Sequence, residues 1–330
     1  MRAERFGTAP DGSAVHRVVI ENGGTRASLM TWGASLQDFR RAGTDHALVL
    51  GSSDFAAYLG PMRHFGAIAG PLANRIAGGR ASLEGRILEL ERNEKGRTTL
   101  HNGASGTSVN NWDLEGADAT SCRLRFVKPD GQGGLPGRLT LVACYRLEED
   151  GALSLEITAA TDAPTLCNPA HHSYWALTPK GGAAAHRMRI AAQHYLPTDA
   201  DQIPLDVASV AGTRFDFRDW RAAYAPGDAA LDHNFCLDAG NGQACLLEAG
   251  GLRLGIETTE PGMQVYDGGG IATGTFVGHQ GAAYGAHAGI ALEPQRWPDA
   301  PNRPEFPSVQ LMPGEVRVQK SRFRVSPCPD

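Results

Sequence analysis

The sequence predicts an all-β protein made of stacked antiparallel sheets, and three observations carry the prediction. Runs rich in Val, Ile, Leu and Thr alternate apolar and polar residues, as half-buried strands do. No stretch shows the spacing of an amphipathic helix of ordinary length. The 41 glycines and 20 prolines fall between the runs, where short strands need turns. A strand run with one apolar face must bury it against another layer, so sheets of this kind stack.

Taken in order, Val15 to Ile20 and Ala27 to Phe39 are the first strand runs, and the Gly33-Ala34 step inside the second points to a bulge or a close backbone approach. Leu83-Glu84-Gly85-Arg86 carries the residues of a tight hairpin turn. Arg138 to Leu147 and Ala152 to Ala160 flank Glu149-Asp150-Gly151, with Leu153, Leu155 and Ile157 alternating against Ser154, Glu156 and Thr158. Leu246 to Thr258 folds back at Gly250-Gly251, and Val316 to Val325 alternates to its end. No stretch has a linker's composition, and all-β domains run long, so residues 1–330 are expected to form one domain.

A hydrophobic content of 42% and a charged content of 20% are those of a soluble enzyme with ample core. The net charge of -5 argues against a nucleic-acid partner, which wants a basic face. Met1 to Gly12 has no apolar segment of a secretory signal, and no later stretch is long enough to span a membrane. The six cysteines lack metal-type spacing and read as reduced thiols, so the expected compartment is the cytoplasm.

The chemistry points to Asn168 to Leu177, Asn-Pro-Ala-His-His-Ser-Tyr-Trp-Ala-Leu. In an extended segment side chains alternate between faces, which puts His172 and Tyr174 on one side and His171, Ser173 and Trp175 on the other. A histidine can donate a proton near neutral pH. Gly289 to Asn302 adds a short apolar strand ending on Glu293 and breaking into a proline-rich loop, a place where scaffolds present reactive groups.

These two stretches, with Gly70 to Ile76, Thr99 to Gly103 and Asp232 to Leu237, resemble the aldose 1-epimerase, or galactose mutarotase, family in order and spacing, from Trp32-Gly33-Ala34 to Leu311-Met312-Pro313-Gly314-Glu315. The resemblance implies a large β-sandwich of the galactose mutarotase type and the interconversion of α and β anomers of a free monosaccharide, without metal or cofactor. It implies Glu293 as base and His172 as acid, with Arg75, His101 and Asp232 holding the sugar. With ordinary pKa values near 4.3 and 6.5, ionised Glu293 and protonated His172 coexist best between the two. Tyr174, Trp297 and Trp32 are lesser candidates for the pocket wall.

The residues themselves leave other roles open. Arg75 would serve equally as a structural ion-pair partner, His101 as a turn residue and Asp232 as a cap. The chain departs from the family pattern at His171 and Ala176, where asparagines are usual, and at Asn102, where the usual residue is glycine. Both His171 and Ala176 are expected to point away from the face of His172. His279 and His287 match no metal motif. Three rivals remain: a hexose-6-phosphate epimerase using Arg296, a glycoside hydrolase using Glu293 and Asp232 as its carboxylates, and a sugar-binding protein without turnover.

Overall fold

Alternation along the sequence becomes sidedness in the sheets of the computed structural model, which describes residues 3–238 and 242–329. The largest sheet has nine strands, in the order Asp113–Ala117, Ser121–Lys128, Leu139–Leu147, Leu153–Thr161, Val316–Pro327, Leu252–Thr258, Gln243–Ala249, Arg187–Ile190 and Arg221–Ala222. A six-stranded sheet runs Tyr174–Trp175, Ile290–Gln295, Gly262–Tyr266, Asp232–Cys236, His194–Leu196 and Ala208–Ser209. Four N-terminal strands, Glu4–Thr8, Ala14–Asn22, Thr25–Met30 and Ser35–Arg41, form a third sheet in sequence order. Neighbours within all three pair antiparallel. Among the described residues the helical turns are 3-10 pieces of three to five residues, and no helix is long and apolar enough to cross a membrane.

One apolar cluster joins the three sheets. It takes Leu141, Leu155, Ile157, Leu254 and Phe323 from the nine-stranded sheet, Phe235, Met263, Val265 and Leu292 from the six-stranded one, and Ile20, Leu29 and Phe39 from the N-terminal one. Each such side chain contributes about 1.5–3 kcal/mol on full burial, so the cluster fixes how the sheets sit. The six cysteines are all free, four of them buried.

Most expected hairpins are present. Arg80–Leu83 pairs with Arg86–Glu89 across Glu84 (φ 49°) and Gly85 (φ 75°), the positive-φ pair that a two-residue turn demands. Gly250 (φ 60°) and Gly251 (φ 77°) turn the chain between Gln243–Ala249 and Leu252–Thr258. Ala27 to Phe39 is not one strand, however. It divides into Thr25–Met30 and Ser35–Arg41, which pair with each other, because Gly33 (φ 65°) and Ala34 (φ 49°) reverse the chain. The close approach expected there is real, since a Cβ on Gly33 would lie 2.7 Å from the Ser108 carbonyl oxygen. The bulge lies instead at Gln37, which has no partner where Ser28 pairs with Asp38 and Leu29 with Leu36.

Candidate active site

Residues directly opposite each other in an antiparallel pair share a face. In the six-stranded sheet Asn234 faces Gln264 and Gln264 faces Glu293, while Asp232 faces Tyr266. Three adjacent strands thus line up polar side chains on one face, while Phe235, Met263, Val265 and Leu292 occupy the other and bind the sheet to the core. Glu293 is 2% exposed, and among the described residues its Oε2 has no protein partner.

His172 arrives from a separate segment. Ala170–His171 pairs with Ile68–Ala69. The His172 amide then donates to the Ala67 carbonyl at 2.8 Å, and the Gly66 amide to the His172 carbonyl at 3.0 Å. This clamp sets His172 Nε2 3.4 Å from Glu293 Oε1. The expected alternation holds for the aromatic pair: Tyr174 packs near the His172 ring at 5.1 Å, while Trp175 stacks on Phe323 in the core. His171 turns into the core as expected, its ring 5.3 Å from Phe323 and its Nε2 3.1 Å from Ser173 Oγ. Ala176 does not turn away as expected. It shares the parity of His172 and Tyr174, and it packs with Tyr174, Phe65 and Ala291 in a second apolar cluster.

Arg75 and His101 enter on neighbouring strands, since Arg75–Ile76 pairs with Thr99–Leu100. Arg75 grips Glu94 with Nε at 2.7 Å and Nη2 at 2.9 Å, and reaches Asp232 Oδ2 with Nη1 at 3.3 Å. It is therefore the ion-pair partner left open above, but one aimed at a candidate sugar-site residue. His101 has φ 52° and sits at a turn. Its Nδ1 accepts the Asn74 amide proton at 3.0 Å, which leaves its own proton on Nε2. Asp232 is no cap: its Oδ1 accepts from Gln264 at 2.6 Å, and its Oδ2 from Gln202 at 2.7 Å besides Arg75. Trp297 donates its indole proton to the Pro261 carbonyl and packs its ring on Phe306, and it touches none of Glu293, His172 or Arg75 in the contacts described. Trp32 packs edge-on against Phe55 and lines a cleft together with His64.

Burial sets the electrostatics and reverses the order that ordinary pKa values imply. It pushes the Glu293 carboxyl well above its usual value, helped by the negative charge of Asp232 and opposed by Arg75. It pushes His172 down to about 4. His101 is held well below 6.5 by burial and by its histidine and arginine neighbours. For Arg75, burial opposes the charge, but Glu94 and Asp232 outweigh it and raise its pKa. Between the two displaced values Glu293 and His172 share one proton, with the carboxyl as its preferred seat.

The family model for aldose 1-epimerase matches residues 16–324. The chain belongs to the aldose 1-epimerase family. It is 34% identical over 336 residues to a galactose mutarotase of Rattus norvegicus, covering 97% of each. To an aldose 1-epimerase of Escherichia coli K12 it is 32% identical, covering 93% of this chain and 94% of the other. A solved aldose epimerase homologue from C. elegans superposes with a TM-score of 0.90 at 25% identity, over 96% of this chain and 100% of that one. A galactose 1-epimerase from Lactobacillus acidophilus gives 0.86 at 26% identity, over 99% of each. The fold is that of the galactose mutarotases, and the protein is an isomerase.

Several residues of the candidate site carry little or no signal in the sequence. Gln264 and Tyr266 had a legible signal, polar residues alternating with apolar ones in Met263-Gln264-Val265-Tyr266. Glu94, Gln202 and His64 had none, because only the fold brings them to Arg75, Asp232 and His172. Among the described residues no three His, Cys, Asp or Glu side chains gather as metal ligands would. His279 Nε2 lies 2.8 Å from the Gln37 carbonyl, and the His287 ring stacks on Tyr224 at 3.8 Å.

Proposed function

We propose that this aldose 1-epimerase opens and recloses the ring of a free monosaccharide with Glu293 as base and His172 as acid. The observation that carries the reading is the 3.4 Å approach of two buried, titratable side chains on separate segments. Glu293 takes the proton from the C1 hydroxyl as the C1–O5 bond breaks, and His172 gives one to O5. After rotation about C1–C2, His172 takes that proton back as O5 attacks the other carbonyl face, and Glu293 returns its proton to O1. The closed sugar pairs with carboxylate and imidazolium, the open chain with carboxylic acid and imidazole. The pair is therefore restored within one turnover, with no outside proton.

Arg75, His101 and Asp232 hold the sugar in this reading, with Tyr174 as a wall. Arg75 is fixed by Glu94, so its fork is already oriented before a hydroxyl arrives. The hydrolase reading loses support because both Asp232 oxygens are occupied by donors. The phosphate reading is weakened, for Arg296 Nη1 donates to the Ser308 carbonyl at 2.9 Å. The binding-only reading leaves the approach of Glu293 to His172 without a purpose. We also assign the protein to the cytoplasm, where its free thiols stay reduced.

Polarimetry on freshly dissolved α-D-galactose and α-D-glucose tests the proposal. Galactose comes first because the rat relative is named a galactose mutarotase. Acceleration well above the spontaneous rate is expected; its absence with both sugars would overturn the reading.

A further inference from the structure

A third histidine borders the acid and belongs to none of the roles above. The His64 ring lies 6.1 Å from that of His172 and 4.8 Å from that of His101. Its Nδ1 is 3.0 Å from Ser108 Oγ. Ser108 is fully buried, and among the described residues its hydroxyl has no other acceptor within reach. A buried donor takes the acceptor it has, so Ser108 donates to Nδ1 and the ring proton sits on Nε2. That Nε2 bonds no protein atom among the described residues. His64 also lines a cleft of about 390 Å³ whose other walls include Trp32, Arg63 and Val109. The half-buried ring thus divides the reacting pair from an open groove.

The order of groups fixes which part of a sugar lies there. Glu293 has Asp232 and Arg75 as its charged neighbours, whereas His64 has His172 and Arg63. Since His64 also borders His101 at 4.8 Å and His101 has Arg75 beside it, the groups run round the site from Glu293 through His172, His64 and His101 to Arg75 and Asp232. With Glu293 at the C1 hydroxyl and His172 at O5, continuing past Glu293 follows the ring to C2, and continuing past His172 follows it to C5. The exocyclic carbon of an aldohexose hangs on C5.

On the basis of the acid and base assignment above, we propose that His64 is a specificity residue, donating its Nε2 proton to the C6 hydroxyl of an aldohexose. Partial burial, with His172 and Arg63 beside it, lowers the ring's pKa, so near neutral pH the uncharged ring offers one donor. The cleft is too roomy to read the substituent by shape, and the hydrogen bond is left to do so. A pentopyranose or a 6-deoxyhexose has nothing to accept it.

The test compares D-galactose with D-fucose, its 6-deoxy form, by kcat/KM in mutarotation. The native enzyme should favour galactose by about 3- to 10-fold, the value of one partly exposed neutral hydrogen bond, chiefly through KM. His64→Asn keeps a polar atom for Ser108 but loses the Nε2 donor, and should bring the ratio towards one. His64→Gln carries an amide nitrogen near the Nε2 position and should restore most of the preference. No preference in the native enzyme overturns the assignment even if a variant fails to fold, as does an unchanged ratio in His64→Asn. Acceleration of neither sugar would instead sink the anomer-exchange reading on which it rests.

Discussion

Replacing Glu293 by Gln and His172 by Asn, singly and together, tests the shared-proton arrangement most directly. Gln keeps the size of Glu293 but cannot accept the C1 proton, and Asn cannot deliver one to O5. A positioned acid or base is worth about 10²- to 10⁴-fold, or about 2.7–5.5 kcal/mol of barrier. Each single variant should lose that much in kcat. If, as proposed, the two groups pass protons through the same substrate in the same step, their losses should not multiply, and the double variant should fall little below the worse single one. Polarimetric rates corrected for spontaneous mutarotation measure all three. A single variant with near-normal turnover, or a double variant whose loss is the product of the two, would refute the pairing.

The same pair dictates the pH profile. In the free enzyme the first proton leaves His172, at about 4, and the second leaves Glu293, well above the usual carboxylate range. Between these limits the pair holds one proton, and its active tautomer is a constant fraction of that population. The profile of kcat/KM should accordingly be a plateau from about pH 4 upward, falling where Glu293 finally ionises and no proton is left for His172. A narrow bell centred between 4.3 and 6.5 would mean that burial does not displace the two groups.

Three further outcomes are expected. Asp232→Ala should raise KM by about 10- to 100-fold, the worth of a charged hydrogen bond, with a smaller loss in kcat; it should also move the alkaline limb down, since Asp232 raises the Glu293 pKa. A large kcat loss at constant KM would make Asp232 a participant in the chemistry. Activity should be complete after exhaustive chelation, because proton transfer between two side chains suffices; loss restored by a divalent ion would contradict the mechanism. His171→Asn should flatten the acid dependence of stability. The folded state holds His171 at about 3 against about 6.5 unfolded, so the unfolded chain binds the extra proton and stability is lost as pH falls from 6.5 towards 3, at up to about 1.4 kcal/mol per unit. Parallel Tm curves for native and variant protein between pH 7 and 4 would disprove it.

What the sequence disclosed was local. Glu84-Gly85 and Gly250-Gly251 announce their turns because positive φ is a property of the residues present. The opposite facings of His172 and His171 follow from parity alone. Counting by the same parity puts Ala176 on the side of Tyr174, where the structure has it. Gly33-Ala34 was ambiguous because a bulge and a reversal use the same residues; the pairing of Thr25–Met30 with Ser35–Arg41 decides it. The partners of Arg75 and Asp232 were illegible, since Glu94, Gln202 and Gln264 reach them only through the fold. Displaced pKa values were hidden for the same reason, as burial is no property of a residue by itself.

The polar face of the six-stranded sheet explains why this fold can hold such a pair at all. A carboxyl at 2% exposure is costly unless it is neutral or partnered. On a loop, the cost would be relieved by movement into water. Glu293 cannot move, because its strand is hydrogen-bonded on both sides, to Gly262–Tyr266 and to Tyr174–Trp175, and Leu292 anchors it in the core. His172 is pinned likewise by Ala67 and Gly66. The remaining relief is to keep a proton between them, and that raised basicity is what removal of a hydroxyl proton from a sugar requires. Apolar alternation on one face therefore holds the proposed acid–base pair in place on the other. Leu292→Ala tests the link: a cavity behind Glu293 should cost about 2–5 kcal/mol of stability and, by loosening the strand, lower kcat without touching the sugar. Full kcat in a destabilised but folded variant would show that the strand's anchoring does not govern the acid–base geometry.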